Sequence, residues 1–324
     1  MAKTMDAIKK PIAKELEIFE KRFREAMKSK VPLLDKITYY IVQRKGKQMR
    51  PMFVFLCARL IGPTSDASYS AASLIELVHT ATLVHDDVVD DSFQRRSFFS
   101  VNSLWKNKIA VIVGDYILSQ GLLIAVRNKQ FRMLEIFSQA VTEMAEGELL
   151  QIEKARRLDI EEPIYYEIIR QKTASLIAAA CAGGIASNTK DESLIEKGRL
   201  FGEKCGIAFQ IRDDLFDFGV ADVGKPLGID IKEKKMTLPL IYALNHSSRS
   251  ERRRIISIIK KDSENQAKVM EVIQFVRDSG GLDYAMKAMY DYREQAFEIL
   301  DTFEESEART ALRELVIYVT EREK

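Results

Sequence analysis

Leu74-Ile75-Glu76-Leu77-Val78-His79-Thr80-Ala81-Thr82-Leu83-Val84-His85-Asp86-Asp87-Val88-Val89-Asp90 is an apolar run that ends in three carboxylates. It contains no glycine, no proline and no period-two alternation, so it reads as helix, part of a segment of about 67–91 after the turn Gly62-Pro63-Thr64-Ser65-Asp66. Residues i and i+4 of a helix share a face about 6 Å apart along the axis, which sets Asp86 and Asp90 side by side. The same spacing recurs at Asp213-Asp214-Leu215-Phe216-Asp217, again after an apolar stretch, Cys205 to Ile211. A single D-D-x-x-D on a charged helix is ordinarily a solvated face. Two copies emerging from apolar helices are different, because clustered anions in such settings need a metal or basic partners. Hard cations such as Mg²⁺ take oxygen ligands and are usually completed by phosphate oxygens. The pair of patterns therefore predicts a Mg²⁺ and diphosphate site between two helices.

Other features bound the fold and the compartment. The chain has 324 residues, 46% of them apolar, enough for a large core. Lys plus Arg number 50 against 48 for Asp plus Glu, and a net charge of +2 provides no general field for nucleic acid or membrane. With only 15 Gly and 7 Pro, amphipathic stretches run almost end to end. The expected fold is all-α, a single large helical domain over 1–324 with no significant sheet. Cys57, Cys181 and Cys205 have no metal-ligand spacing and read as buried small residues in a reducing, cytoplasmic setting. The N-terminus lacks the apolar core of a signal peptide. Ile109 to Val126 is long enough to span a bilayer but carries Asp115, Gly114 and Gly121, which favours a buried, closely packed helix.

Along the chain, Ile12, Leu16, Phe19 and Phe23 mark an amphipathic packing helix after Pro11, within an N-terminal segment 1–30. A second helix is expected over 31–41, and the loop Lys45 to Pro51 leads into a long apolar one. Residues 92–102 read as loop. Further helices are expected at about 103–128, 130–156, 162–187, 191–219, 235–246, 251–261, 265–279, 281–302 and 306–322. Val220 to Lys235, rich in Gly, Lys and Asp beside the second aspartate pattern, is a candidate active-site lid.

A diphosphate needs cations beyond the metal. Gly46-Lys47 with Arg50 stands at an expected helix N-terminus, itself favourable for anions, and Arg95-Arg96 lies one loop beyond the first pattern. Lys172-Thr173 falls in an apolar helix, Gln210 precedes Asp213 by one turn, and Lys225 and Lys235 flank Asp230. Each basic residue alone is ordinarily a solvated charge; gathered near the aspartates, they form two anion sites. Gly219 to Lys225 fits the start of a phosphate-binding P-loop, but Pro226 replaces the hydroxyl residue and a helix precedes it, so nucleotide hydrolysis is set aside.

These residues, in this order, resemble the trans-isoprenyl diphosphate synthases, or polyprenyl synthetases. The likeness includes both aspartate patterns, Gly46-Lys47-x-x-Arg50-Pro51, His79-Thr80-Ala81, Arg95-Arg96, Gly114-Asp115-Tyr116, Gly147-Glu148-x-x-Gln151, Lys172-Thr173, Phe209-Gln210 and Gly224-Lys225 through Asp230 to Lys235-x-Thr237-x-Pro239. The resemblance implies an all-α bundle around a central cavity, usually a homodimer, with three Mg²⁺ bound alongside the allylic diphosphate. It assigns Asp86, Asp90 and Asp213 to the metals, with Asp214 and Asp217 in the same metal set as supporting groups, and Asp87 as a further support. Arg95, Lys172, Lys225 and Lys235 would hold an allylic diphosphate such as farnesyl diphosphate. Lys47, Arg50, His79 and Arg96 would hold isopentenyl diphosphate, and Thr173 and Gln210 would lie near the reacting carbons. Three residues depart from the pattern: Lys45 and Ser97 where small residues are usual, and Lys234 where a glycine is expected.

Within that resemblance, an aromatic residue four or five positions before the first aspartate closes the pocket for short products. Here those positions are Thr82 and Ala81, and the expected product is long, heptaprenyl to decaprenyl, of the kind used as a quinone tail. Small residues there could equally serve helix packing alone. The alternatives are a short-chain farnesyl or geranylgeranyl diphosphate synthase, and a non-catalytic subunit, which would be expected to lose aspartates. Arg249 to Arg254 offers either a transient membrane contact during product release or a plain solvated helix start.

Overall fold

The computed structural model describes residues 4–44, 46–95, 98–155, 158, 160–220 and 227–321, the side chains of Gln94 and Arg95 excepted. The N-terminal stripe is buried as its spacing requires, with Phe19 and Ile12 fully enclosed. The helix starts earlier than Pro11 suggests. Helix α1 (Met5–Lys9) passes through a 3₁₀ turn at Lys10–Ile12 into α2 (Ala13–Ala26), and the proline occupies the tight turn, where its missing N–H costs little. Next come α3 (Pro32–Gln43), α4 (Met49–Ile61) and α5 (Asp66–Val89), the last opened by a reciprocal Ser65–Ser68 cap.

Residues 92–102 contain a two-residue hairpin, β1 (Gln94–Arg95) antiparallel to β2 (Phe98–Phe99), the only sheet among the described residues. The helix expected over 103–128 is two, α6 (Val101–Trp105) and α7 (Asn107–Arg127), because Lys106 adopts a φ of 72° that no right-handed helix accommodates. After α8 (Phe131–Ala155), the single helix expected over 162–187 also divides. Between α9 (Glu162–Ile169) and α10 (Ser175–Ala186) lies a π-helical segment, Arg170–Ala174, in which the Ser175 N–H bonds to the Arg170 carbonyl five residues back. Gly147 on α8 makes room for it: a Cβ there would lie 2.7 Å from Gln171 Cβ and 2.9 Å from the Lys172 nitrogen.

Helix α11 (Glu192–Phe216) is capped by Asp191, and α12 (Ile229–Lys232), α13 (Leu238–Asn245), α14 (Arg249–Lys261), α15 (Gln266–Asp278), α16 (Gly281–Leu300) and α17 (Glu307–Glu321) complete the bundle. Helix α10 is made almost wholly of Ala, Gly and larger apolar residues on every side, so it belongs at the centre, where it packs on α4, α5, α8 and α11. One cluster of buried side chains joins α1 to α8 with α10 and α17. A second joins α9 with α12 to α15, and α11 and α16 contribute to both. The three cysteines are buried free thiols, and burial pushes Cys181 and Cys205 well up, so they are inert core residues as expected.

Helix α7 is less buried than its composition suggests. It lies on α5 through Gly114, Ile117 and Gly121; a Cβ on Gly114 would meet the His85 ring. Its opposite face leaves Val111, Ile112, Leu122, Leu123 and Val126 exposed. By length and composition α7 passes as a membrane span. Hydrophobicity alone cannot distinguish a core face from one that needs a partner.

Candidate active site

Both aspartate patterns end their helices. Asp90 is the C-cap of α5 and Asp217 the C-cap of α11, and neither helix has a basic residue in its last turn. The C-terminal end of a helix carries partial negative charge, so acids there are destabilising by about 0.3–1 kcal/mol each unless cations offset them. On α5, His79, Thr82 and Asp86 are half-buried along one face that leads to the exposed Asp90, whereas Ala81 and Asp87 are buried in the core. The Asp87 backbone carbonyl accepts from Asn102 at 2.9 Å and ties the following loop to the helix.

The second wall is held by a continuous set of hydrogen bonds. The Thr173 hydroxyl donates to Gln210 Oε1 at 2.7 Å, Gln210 Nε2 donates to Asp214 Oδ1 at 2.8 Å, and the Tyr165 hydroxyl donates to Asp214 Oδ2 at 2.7 Å. Asp214 is buried with both oxygens accepting, and burial, reinforced by Asp230, raises its pKa against these two donors. Burial and the adjacent carboxylate push the Tyr165 phenol well above its ordinary range, so it stays protonated and donates. Asp213 lies half-buried beside Asp214. Asp217 turns inward: its carboxylate accepts the backbone N–H groups of Ile229 at 2.7 Å and Asp230 at 3.2 Å, so it caps α12 and anchors the described part of the expected lid. Replacing Tyr165 with phenylalanine leaves the volume unchanged and removes one donor from a buried carboxylate. The expected cost is about 1.5–3 kcal/mol, measured by urea unfolding.

Basic side chains converge on the same place. Lys172 Nζ meets Glu148 Oε2 at 2.5 Å and Gln151 Oε1 at 3.4 Å, and Lys235 Nζ meets Glu233 at 2.5 Å and Asp230 at 3.7 Å. Partial desolvation at the end of α5 raises Asp90, while Lys235 and Lys172 pull it back. Burial works against the charge of Lys235, yet Asp230 and Glu233 hold its pKa above the ordinary value; burial pushes Asp230 up to about 6 against the pull of Lys235. On the other side, Lys47 Nζ donates to the Tyr318 hydroxyl at 2.8 Å, and Arg50 lies in the first turn of α4. Lys45, Arg96, Ser97 and Lys225 lie outside the described residues, and of Arg95 only the backbone is described.

Lys234, which stands where a glycine was expected, has a φ of 59°, the left-handed conformation that glycine adopts without strain. Lys234→Gly is expected to raise stability by about 0.5–1 kcal/mol in thermal unfolding, since the relieved strain exceeds glycine's entropic cost.

Among the described residues no three carboxylate, histidine or cysteine side chains form a ready-made metal cage. Lys235 acts on a carboxylate of each pattern, Asp90 and Asp217. That donor set suits a hard cation whose remaining oxygens come from a phosphate ligand.

A family model described as polyprenyl synthetase matches residues 31–276. The chain belongs to the polyprenyl synthetase family. It is 37% identical over 305 residues to an all-trans-nonaprenyl-diphosphate synthase (geranyl-diphosphate specific) of Rhodobacter capsulatus, covering 93% of each chain. It is also 34% identical over 331 residues to a short chain isoprenyl diphosphate synthase of Methanothermobacter thermautotrophicus, covering 100% of each. A crystal structure of a decaprenyl diphosphate synthase from Rhodobacter capsulatus superposes with a TM-score of 0.94 at 33% identity, over 99% of this chain and 100% of that one. As a polyprenyl synthetase the chain is a prenyltransferase that uses isoprenoid diphosphate substrates.

Within this polyprenyl synthetase, two contributors escaped the sequence reading. Tyr165 carries no local signal, because its partner Asp214 is distant in sequence. Glu148 was visible only as a member of a motif, and its pairing with Lys172 depends on the π segment, which no periodicity announces.

Proposed function

We propose that this chain is a Mg²⁺-dependent trans-polyprenyl diphosphate synthase that adds isopentenyl diphosphate, head to tail and repeatedly, to an allylic diphosphate such as farnesyl diphosphate, giving a heptaprenyl to decaprenyl product. The observation that carries the reading is the pair of aspartate patterns that end α5 and α11, the second braced by the hydrogen bonds that run from Thr173 through Gln210, and from Tyr165, to Asp214 next to Lys172. Mg²⁺, held by Asp86, Asp90 and Asp213 in up to three ions, would neutralise the departing diphosphate. Asp87, Asp214 and Asp217 support the ligands by fixing helix ends. Lys172 and Lys235, with Lys225 and Arg95, hold the allylic diphosphate; Lys47, Arg50, His79 and Arg96 hold isopentenyl diphosphate.

The allylic C–O bond breaks, the electron pair leaves with the diphosphate, and the isopentenyl double bond attacks the carbocation. A proton is then lost to the released diphosphate. The Thr173 hydroxyl, its proton engaged by Gln210, presents oxygen lone pairs that favour a nearby cation. The segment 220–235 acts as a lid, with α12 as its anchored end. The chain works as one catalytic domain, and its buried free thiols fit a reducing cytoplasm.

The exposed stripe on α7 supports a homodimer, since a row of apolar side chains on one helix face calls for a partner. Leu122→Glu is expected to convert the dimer to monomer in analytical ultracentrifugation; an unchanged sedimentation coefficient would reject this face. The function itself is tested by incubating the protein with farnesyl diphosphate, isopentenyl diphosphate and Mg²⁺ and sizing the lipid product by chromatography. Absence of extension rejects the synthase, and a product stopping at geranylgeranyl length favours the short-chain alternative.

A further inference from the structure

Helix α14 buries Ile255, Ile258 and Ile259 on one side and carries six cations, Arg249, Arg252, Arg253, Arg254, Lys260 and Lys261, against a single acid, Glu251. In a chain of net charge +2 this is a local concentration, not a general basicity. Arg254 pairs with Glu271, and Arg252 donates to Asn245 Oδ1 at 3.3 Å. Arg253, Lys260 and Lys261 have no hydrogen-bond or ion-pair partner among the described residues. Between them opens a cleft of about 370 Å³ whose floor is Leu158 and Ile256 and whose rim is Arg252, Arg253, Lys260 and Lys261.

An apolar floor inside a cationic rim matches an anionic amphiphile. The cations extend over twelve residue steps, about 18 Å of helix, wider than one small anion and comparable with several lipid headgroups. Among the described residues no aromatic side chain lines the cleft to stack a nucleobase. Its position is also specific. The Leu158 N–H bonds to the Lys154 carbonyl, so this wall continues the end of α8 whose last turns carry Glu148 and Gln151, the partners of Lys172.

We propose that the basic face of α14 docks the protein on an anionic lipid bilayer, with the active-site end of α8 toward the membrane. The apolar side of the helix is already used in the core, so attachment is electrostatic and peripheral, without insertion. This goes beyond the catalytic reading and is measured without turnover. The full chain is mixed with sedimentable vesicles of phosphatidylcholine, with or without phosphatidylglycerol, and the bound fraction is compared with that of the Arg253→Glu, Lys260→Glu, Lys261→Glu variant. The three positions are exposed, so the variant is expected to fold with unchanged circular dichroism and to elongate a soluble primer normally. The parent should bind only phosphatidylglycerol vesicles and release in high salt. At about fivefold per cation lost, the variant should bind about a hundredfold more weakly. Equal binding to neutral vesicles, equal binding by the variant, or no binding to either vesicle would overturn the proposal. So would inorganic diphosphate, titrated without divalent metal, binding the parent but not the variant while vesicles treat both alike; that result reassigns the cleft to a soluble anion.

Discussion

Replacing Asp86 with alanine is expected to lower kcat about a thousandfold, a loss of about 4 kcal/mol in transition-state stabilisation, with little change in folding. Asp86 is half-buried on the face of α5 that also carries His79 and Thr82, so truncating it opens no cavity in the core. Its proposed work is to hold a cation against the leaving diphosphate, and without it a full negative charge must develop in a poorly compensated field. The neighbouring residue provides the control. Asp87 is buried at the same helix end, so Asp87→Ala should register first as lost stability, not as an altered metal requirement. Steady-state rates across a Mg²⁺ titration, with circular dichroism of each variant, separate the two. A loss below tenfold for Asp86→Ala would remove it from the metal set.

Introducing phenylalanine at Ala81 is expected to shorten the product from heptaprenyl or longer to farnesyl or geranylgeranyl length. Ala81 is only 1% exposed and sits in a packed cluster, so a phenyl ring must displace a neighbour or project into the proposed prenyl channel. Overpacking of this kind costs about 1–3 kcal/mol, which a chain of this size tolerates. Thr82 shares the half-exposed face of Asp86, and its hydroxyl bonds to the His79 carbonyl at 3.0 Å. A Thr82→Phe variant therefore reports on the channel with less strain. If neither substitution changes the lipid length, the channel floor lies elsewhere, with Ile117 on α7 the next position to enlarge. The similarity to both a nonaprenyl and a short-chain synthase makes this measurement decisive for the assignment of chain length.

Helix was legible in the sequence wherever apolar residues repeat with the helical period, as at Ile12 to Phe23, and the acidic ends of α5 and α11 were legible because one aspartate spacing recurs after two apolar stretches, where clustered anions need a metal or cations. Breaks set by single backbone angles were not. Lys106 divides α6 from α7 through its φ, and Pro11 looked like a start but occupies a turn within a longer helical run. The roles of Asp214 and Asp217 were blurred because identical spacing hides different surroundings: one accepts side-chain donors in the core, the other accepts backbone N–H groups from α12. The exposed stripe of α7 was read as core because composition records apolarity and not what covers it.

The π-helical turn at Arg170–Ala174 limits how this gene can change in length. Its i to i+5 bonding holds a surplus residue relative to an α-helix, and Gly147 makes room for the bulge. Deleting one residue there would heal the helix and satisfy every backbone group. The flanking helices would keep nearly their present orientation, because the bulge already absorbs the extra residue, but side chains inside the segment would move by up to one position, about 100°. Lys172 would then turn away from Glu148, or Thr173 from Gln210, since both contacts depend on the present register. A loop elsewhere in the chain could lose or gain residues by drift, but this reading frame of side chains is fixed to the residue.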